Sequence, residues 1–299
     1  SAGTFGYGVE FRKLAHLDRL GALVTKTITR QPRAGNLPPR LVETPAGMLN
    51  AVGLQNVGLE AFVRDKLPEL ASLSVPIIVS VLGETLEDVK ALCGRLDTAS
   101  SVAAIELNLS CPNLPDRHEA NARRLVDMVA QDPEATWAVV SAARQVTNKP
   151  LIAKLSPDVT DPRPIAQAAE RAGAEALALV NTFTGMSIDP ATRRSRLGSL
   201  TGGLSGPAIR PLAVYRVWLV HQAVRCPIIG IGGIVRVEHA VEFFLAGATA
   251  VAIGSANFAD PAAAIRLVDR LRRYLERRRM DSVQELIGAF AGVPARTAN

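Results

Sequence analysis

Cysteines, aromatic residues and long apolar runs are all scarce in this sequence. The three cysteines, Cys93, Cys111 and Cys226, are odd in number and far apart, which excludes a disulfide framework and fits reduced thiols in a cytoplasm. No apolar run approaches the roughly 18 residues that a membrane span needs, and residues 1–8 have neither the basic start nor the apolar stretch of a secretory signal. The four histidines show no ligand spacing, so no metal site is predicted. We therefore expect a cytoplasmic protein that does not associate with membranes.

The excess of positive over negative side chains is small, with a formal net charge of +6 at pH 7. Much of the excess comes from arginines between Arg266 and Arg279, interleaved with Leu267, Leu271 and Leu275, which is typical of a solvated amphipathic helix. Aromatic residues make up only 4% of the chain, and no aromatic platform or binding motif accompanies these arginines. The pattern therefore favours a surface helix over a nucleic-acid interface.

Hydrophobic residues make up 48% of the 299 residues and fall in short runs that alternate with amphipathic segments. Because the runs are continuously apolar, they predict strands covered on both faces, as in a parallel sheet. Repeated strand and helix predict an α/β fold, and without a linker or a composition shift we expect one domain over residues 1–299. The predicted strands are 22–25, 76–81, 104–108, 151–154, 176–180, 228–231 and 250–253. The predicted helices are 59–70, 86–96, 134–146, 164–172, 208–223, 237–245 and 261–278.

Polar residues and glycines follow the predicted strands at one end: Lys26, Ser80, Asn108, Lys154, Asn181, Gly232 and Gly254. A (β/α)8 barrel builds its sites at the carboxyl ends of its strands. A doubly wound sheet does so too, but it usually carries a glycine-rich fingerprint after its first strand, and none is present here. Glycine turns follow the last two predicted strands instead, where barrels commonly bind phosphate through backbone N–H groups. The pattern therefore favours a barrel with a phosphate site.

The stretch from Glu106 to Asn113 (ELNLSCPN) carries the most chemistry. Asn108 ends a predicted strand, and the following turn presents Cys111 and Asn113. A thiol is the easiest side chain to use as a base or nucleophile near neutral pH, and neighbouring amides suit a planar ligand that carries amide groups. A lone cysteine is usually core filling, which we expect for Cys93 and Cys226 but not for Cys111 in a turn flanked by proline and asparagine.

Motifs in order along the chain resemble the dihydroorotate dehydrogenase family. They are residues 1–6 (SAGTFG), 25–27 (TKT), 35–40 (GNLPPR), 43–50 (ETPAGMLN), 108–113 (NLSCPN), 154–157 (KLSP), 181–182 (NT), 201–206 (TGGLSG) and both late glycine turns. The segments 35–40 and 43–50, and a cysteine at the base position, are similar to the NAD-linked class 1 type (class 1B).

The resemblance implies a barrel that binds FMN and oxidises (S)-dihydroorotate to orotate in pyrimidine (UMP) biosynthesis. Cys111 is implied as the base that removes the C5 proton, with the C6 hydride passing to the flavin. The implied substrate-binding residues are Lys26, Asn50, Ala51, Val52, Gly53, Leu54, Asn108, Asn113, Asn181 and Thr182. The implied FMN-binding residues are Ala2, Lys26, Thr27, Ser80, Asn108, Lys154, Val180, Gly206, Gly232, Gly233, Gly254 and Ser255.

The resemblance also implies a homodimeric core and a partner subunit that carries FAD and a [2Fe–2S] cluster and reduces NAD. Three scattered cysteines cannot supply the usual four ligands of such a cluster, which agrees with its location on another chain. The alternatives are a fumarate-linked class 1 enzyme, a related pyrimidine-reducing flavoenzyme without a partner, and an inactive barrel that binds FMN or phosphate.

Three departures from the family pattern carry expectations. The segment with the first barrel strand is absent before Ser1, so we expect weak FMN retention. The stretch 114–132 is longer than usual and could cover the site. Ser80 stands where an asparagine usually meets the flavin.

Overall fold

The structure, a computed structural model, describes residues 1–11, 16–110, 129 and 131–293. Its strands, in chain order, are β1 (Leu23–Val24), β2 (Leu41–Thr44), β3 (Gly47–Asn50), β4 (Ile77–Val81), β5 (Val102–Asn108), β6 (Leu151–Lys154), β7 (Ala176–Leu179), β8 (Phe183–Gly185), β9 (Ile188–Asp189), β10 (Arg194–Ser195), β11 (Gly202–Ser205), β12 (Ile228–Ile231) and β13 (Ala250–Ala252). Each of the seven predicted strands is present, as β1, β4, β5, β6, β7, β12 and β13.

These seven strands form one parallel sheet in the order β1-β4-β5-β6-β7-β12-β13. Its inner face is an apolar layer to which the middle strands contribute Ile78, Ala104, Ile152, Ala178 and Ile231. Val24 of β1 and Ala252 of β13 pack against the same layer, although β1 and β13 are the first and last strands of the sheet. The sheet therefore curls round on itself, which agrees with the predicted barrel-type α/β fold.

Helices connect the strands and cover the outer face of the sheet. They are α1 (Leu59–Ala61), a π turn (Phe62–Lys66), α2 (Leu67–Ala71), α3 (Leu86–Asp97), α4 (Pro133–Arg144), α5 (Arg163–Arg171), α6 (Arg210–His221), α7 (Val237–Leu245), α8 (Ala256–Ala259) and α9 (Ala263–Arg278), with 3-10 turns at Val9–Phe11, Leu17–Arg19, Pro207–Ile209 and Val283–Leu286. The predicted helices all form. The hydroxyl of Thr85 caps α3 by accepting from the N–H of Asp88 at 3.1 Å.

Helix α9 behaves as its amphipathic pattern predicts. Ile265 and Leu267 are buried, whereas Arg266, Arg270 and Arg273 are exposed. Within the described residues, no helix combines the length and the apolar character needed to cross a bilayer.

Two small antiparallel sheets, which the sequence did not predict, stand at the carboxyl ends of the barrel strands. One has the order β2-β3-β11-β8, and the other pairs β9 with β10. Strand β3 pairs with β11 so that Asn50 faces Gly203, more than 150 residues later, and the amide nitrogen of Asn50 donates to the Gly203 carbonyl at 3.1 Å. This pairing places the end of β3 beside the barrel mouth.

Candidate functional site

A cavity of about 330 Å³ opens where the parallel strands end. Its wall consists of Ser1, Ala2, Gly3, Thr4, Lys26, Thr27, Leu41, Met48, Asn50, Val52, Gly53, Leu54, Asn108, Lys154, Val180, Asn181, Thr182, Ser205, Gly206, Ile209, Ile231, Gly232, Gly233, Gly254, Ser255 and Phe258. The volume lies within the range of small-molecule and cofactor sites, about 300–1,000 Å³.

Amide and hydroxyl groups on one side of the cavity form a continuous hydrogen-bond network. The amide nitrogen of Asn181 donates to Asn108 Oδ1 and to Ser110 Oγ, both at 3.2 Å, and also to the Ser110 carbonyl. The amide nitrogen of Asn108 donates to Thr27 Oγ1 at 3.3 Å, and Thr27 Oγ1 lies 2.9 Å from Ser80 Oγ. The network links side chains at or after the ends of four strands, β1, β4, β5 and β7, so these amides are held in place before any ligand binds.

Two lysines enter the cavity from opposite parts of the sheet. Lys26 follows β1, and its N–H donates to the Gly6 carbonyl at 2.8 Å. Burial lowers the pKa of Lys26, the nearby Glu10 carboxylate raises it in part, and Arg40 lowers it further. Lys154 ends β6 and is only 5% exposed. Two cationic groups and several amides suit a ligand that is planar and carries negative charge.

Glycine-rich turns after β12 and β13 form the opposite wall. Gly232 and Gly233 have positive φ angles of 137° and 66°, which favour glycine. The N–H groups of Gly232, Gly233, Gly254 and Ser255 donate to no other group within the part of the chain that the structure describes. Gly232 is buried, and Gly233, Gly254 and Ser255 are half-buried on the cavity wall. Backbone N–H groups clustered in this way favour an anionic ligand such as a phosphate.

Most of the predicted site residues meet at this cavity. Ala2, Lys26, Thr27, Asn50, Val52, Gly53, Leu54, Asn108, Lys154, Val180, Asn181, Thr182, Gly206, Gly232, Gly233, Gly254 and Ser255 all line it. Cys111 and Asn113, together with almost all of the stretch 114–132, lie outside the described residues. Their assigned roles remain predictions.

Two predicted residues, Ala51 and Ser80, do not line the cavity. Ala51 is fully buried in an apolar cluster with Val42, Leu49 and Leu197 beneath the antiparallel sheet. Ser80 is fully buried, and its hydroxyl reaches the cavity only through Thr27. This geometry therefore disfavours a direct contact between a ligand and the side chain of Ala51 or Ser80.

Several wall residues were not predicted, among them Thr4, Met48, Ser205 and Phe258. Thr4, Met48 and Ser205 lie inside the motifs 1–6, 43–50 and 201–206, so their position in these motifs could have indicated that they line the site. Nothing in the sequence around Phe258 distinguishes it from a surface residue.

The other two cysteines have the structural positions expected of them. Cys93 lies on the buried face of α3, and burial raises the pKa of its thiol to about 12. Burial next to the Glu170 carboxylate raises the pKa of Cys226 to about 12 as well. Neither thiol is ionised near neutral pH, so neither is an effective nucleophile there.

Fold and site together define a protein of the (β/α)-barrel class with a cavity at the carboxyl ends of its strands, lined by two lysines, several amides and glycine-rich turns. The family model described as dihydroorotate dehydrogenase matches residues 1–275. The chain therefore belongs to the dihydroorotate dehydrogenase family, whose members are oxidoreductases that act on dihydroorotate.

Two named relatives indicate which type of dihydroorotate dehydrogenase the chain is similar to. The chain is 50% identical to a protein of Geotalea uraniireducens over 290 residues. These residues make up 97% of this chain and 92% of that protein. It is 52% identical over 289 residues to a protein of Desulforudis audaxviator, with the same coverage. Both are named dihydroorotate dehydrogenase B (NAD(+)), catalytic subunit, which confirms the class 1B resemblance.

A solved structure supports the fold. A dihydroorotate dehydrogenase from Eimeria tenella, determined in complex with ferulenol, matches with a TM-score of 0.73 at 22% identity, covering 92% of this chain and 80% of that one. At this identity the match shows that the two chains share a fold.

Proposed function

We propose that this chain is the catalytic subunit of an NAD-linked dihydroorotate dehydrogenase, which oxidises (S)-dihydroorotate to orotate in pyrimidine biosynthesis with FMN as its cofactor. The observation that carries the proposal is the meeting of Lys26, Lys154, three asparagines (Asn50, Asn108 and Asn181) and the late glycine turns around one cavity. The names of the relatives favour the NAD-linked type over the fumarate-linked alternative.

The residues present fit FMN, an anionic flavin nucleotide. Gly232, Gly233, Gly254 and Ser255 would hold its phosphate through the four N–H groups that lack a partner among the described residues. A Cβ added at Gly254 would lie 3.3 Å from Ser1 Oγ, so glycine keeps this part of the wall open. Lys154 would lie beside the pyrimidine edge of the ring. When bound, FMN would supply the two-electron acceptor that the oxidation needs.

The substrate would occupy the side of the cavity lined by amides. Dihydroorotate is an anion whose ring carries both N–H and C=O groups, and an amide side chain can pair with either. Asn50 and Asn181 lie on separate elements, the end of β3 and the loop after β7, so they can hold opposite edges of a ring. The Lys26 ammonium provides charge for the carboxylate.

Removal of the C5 proton is assigned to Cys111. This residue directly follows Ser110, whose backbone carbonyl and hydroxyl both accept from Asn181. Asn181 therefore anchors the point from which the chain leads into Cys111. A positioned base contributes typically 10²–10⁴-fold to the rate of proton abstraction.

In this proposal, electrons pass from this chain to a partner subunit that carries FAD and a [2Fe–2S] cluster, and the partner subunit reduces NAD. Cys93 is buried and Cys226 is half-buried, and the raised pKa of both thiols makes them unsuited to ligating a shared cluster. We also propose a homodimeric core and a cytoplasmic location. Exposed apolar side chains on and around the small sheets, including Leu37, Leu41, Met186 and Ile188, support an interface there.

A visible spectrum of the purified protein tests the proposal. We expect flavin absorption in the isolated chain, or after addition of FMN, and loss of that absorption when dihydroorotate is added without oxygen. NAD reduction is expected only after an iron–sulfur partner subunit is added. A protein that binds no FMN, or bound FMN that dihydroorotate leaves oxidised, contradicts the proposal.

A further inference from the structure

A buried carboxylate, Glu106, lies beneath the cavity without an assigned role. Glu106 lies within β5, is 2% exposed and alternates with Ala104 and Asn108 on the inner face of the sheet. It is not part of the cavity wall, whereas Asn108, two residues later, is. Its Oε1 atom is buried and has no hydrogen-bond partner among the described residues. A carboxylate in such a position is strongly unfavourable unless an opposite charge lies close by.

The polar neighbours of Glu106 are already engaged elsewhere. Ser80 lies opposite it in the β4–β5 register, but the Ser80 hydroxyl pairs with Thr27. The Asn108 amide donates to Thr27 and accepts from Asn181. On the β6 side, the residue opposite Glu106 is the apolar Ile152. Among the described residues, none of these neutral groups donates a hydrogen bond to Glu106 Oε1.

Two positive groups lie near Glu106, the Lys154 ammonium and the amino group of Ser1. Burial lowers the pKa of the Ser1 amino group to about 5, Lys154 lowers it further and Glu106 raises it in part, so that amino group is uncharged near neutral pH. Lys154 is therefore the candidate for a counter-charge. In the β5–β6 register Asn108 lies opposite Lys154 and Glu106 opposite Ile152, so Lys154 is the diagonal neighbour of Glu106 on the same inner face. Parallel strand geometry separates the two Cα atoms by about 8 Å, which two long side chains can span. Lys26, the other lysine at the cavity, has a different carboxylate, Glu10, acting on it.

We propose that Glu106 is a positioning residue that acts through Lys154. Its carboxylate lies one layer below the cavity floor and attracts the Lys154 ammonium, so that the ammonium is directed at the pyrimidine edge of the bound flavin. Glu106 itself touches no ligand. The inference rests on the proposed function for the identity of the ligand, FMN.

A double-mutant cycle with FMN as the probe tests this inference. The variants are Glu106→Gln, Lys154→Met and the pair together, and FMN affinity is measured on the apoprotein by quenching of flavin fluorescence. We expect Glu106→Gln to weaken FMN binding at least fivefold when Lys154 is present and by less than twofold in the Lys154→Met background. Equal losses in both backgrounds overturn the proposal, because a purely structural role would be additive.

Urea unfolding of the same apoproteins provides a readout that does not need FMN. Each single variant leaves one buried charge without its partner, whereas the double variant leaves none. We therefore expect a higher unfolding midpoint for the double variant than for either single variant. A double variant whose loss equals the sum of the single losses, or that fails to fold, overturns the pairing.

Glu175→Gln is the matched control. Its carboxylate accepts from Leu151 N at 2.8 Å and from Arg144 at 2.9 Å, at the opposite end of β6 from the cavity. We expect its effects to add to those of Lys154→Met. If the wild-type protein binds no FMN but the urea cycle still shows coupling, the proposed function fails while the pairing of Glu106 with Lys154 stands.

Discussion

Replacement of Gly233 by alanine tests whether the turn after β12 is built for close approach of backbone groups. Gly233 has φ +66°, a conformation that costs an L-residue about 1 kcal/mol. An alanine Cβ there would lie 2.7 Å from the Gly206 carbonyl oxygen, 2.9 Å from Arg210 Cβ and 3.1 Å from Pro207 Cα. The first and third contacts are with backbone atoms, which cannot move away by changing a side-chain rotamer.

The expected loss of stability follows from these two effects. Overpacking against a well-ordered neighbour typically costs about 1–3 kcal/mol. Added to the conformational cost, this gives an expected decrease of about 2–4 kcal/mol in the free energy of unfolding. Since relief of the clash must move the turn away from the Gly206 loop, FMN affinity should fall as well.

Urea unfolding and FMN titration measure the two effects, and Gly94→Ala serves as the control. Gly94 lies within α3, where an added Cβ would meet its nearest neighbour at 3.8 Å. The same substitution should there raise stability by about 0.5–1 kcal/mol, because alanine is the better helix former. A Gly233→Ala protein that unfolds like the wild type and keeps its FMN affinity would show that the turn after β12 does not require glycine at this position.

Three further predictions concern the chemistry of the site. Cys111→Ala should retain FMN but lose dihydroorotate oxidation by at least about 100-fold in steady-state assays, the contribution typical of a positioned base. Lys154→Ala should weaken FMN retention or slow flavin reduction, measured by gel filtration and by stopped-flow absorbance. Burial lowers the pKa of Lys26 in the folded protein. At pH values between this lowered pKa and the ordinary pKa of lysine, the unfolded chain therefore binds more protons than the folded chain. Wild-type stability relative to Lys26→Met should therefore increase as the pH rises through this window, measured by urea unfolding at several pH values.

Specific outcomes contradict each of these predictions. Wild-type turnover by Cys111→Ala would remove the base assignment, and Cys93→Ala, at a buried thiol away from the cavity, controls for loss of a cysteine. Unchanged flavin retention and reduction in Lys154→Ala would remove the role of that lysine. A stability difference between wild type and Lys26→Met that does not change with pH would show that burial does not perturb Lys26.

The parallel sheet could be predicted from the sequence, whereas the small antiparallel sheets could not. Continuous apolar runs such as 76–81 mark strands covered on both faces, and all five residues of β4 are indeed buried. Strands β2, β3, β8 and β11 are short, and β2 and β8 contain exposed residues, so they carry no such pattern. Their pairing depends on contacts between residues far apart in the chain.

Some residues of the candidate site could likewise be predicted from the sequence, and others could not. Lys26, Asn108 and Lys154 could be placed at the site because the residue after or at the end of a barrel strand faces the barrel mouth. Ser80 satisfies the same rule, yet its hydroxyl is covered by Thr27 and stays out of the cavity wall. Whether a strand-end residue is covered depends on the neighbouring strand, which a local pattern does not specify.

The order of strands and helices, the polar strand ends and the late glycine turns follow from the sequence alone, because hydrophobic periodicity and turn chemistry are properties of adjacent residues. Folding brings together the groups that share a cavity and makes Glu106 a neighbour of a lysine on the cavity wall. Asn50 reaches the barrel mouth through pairing of β3 with β11, and Glu106 becomes a neighbour of Lys154 through the register of β5 and β6. Both relations arise from hydrogen bonds between distant segments, which form only when the chain has folded.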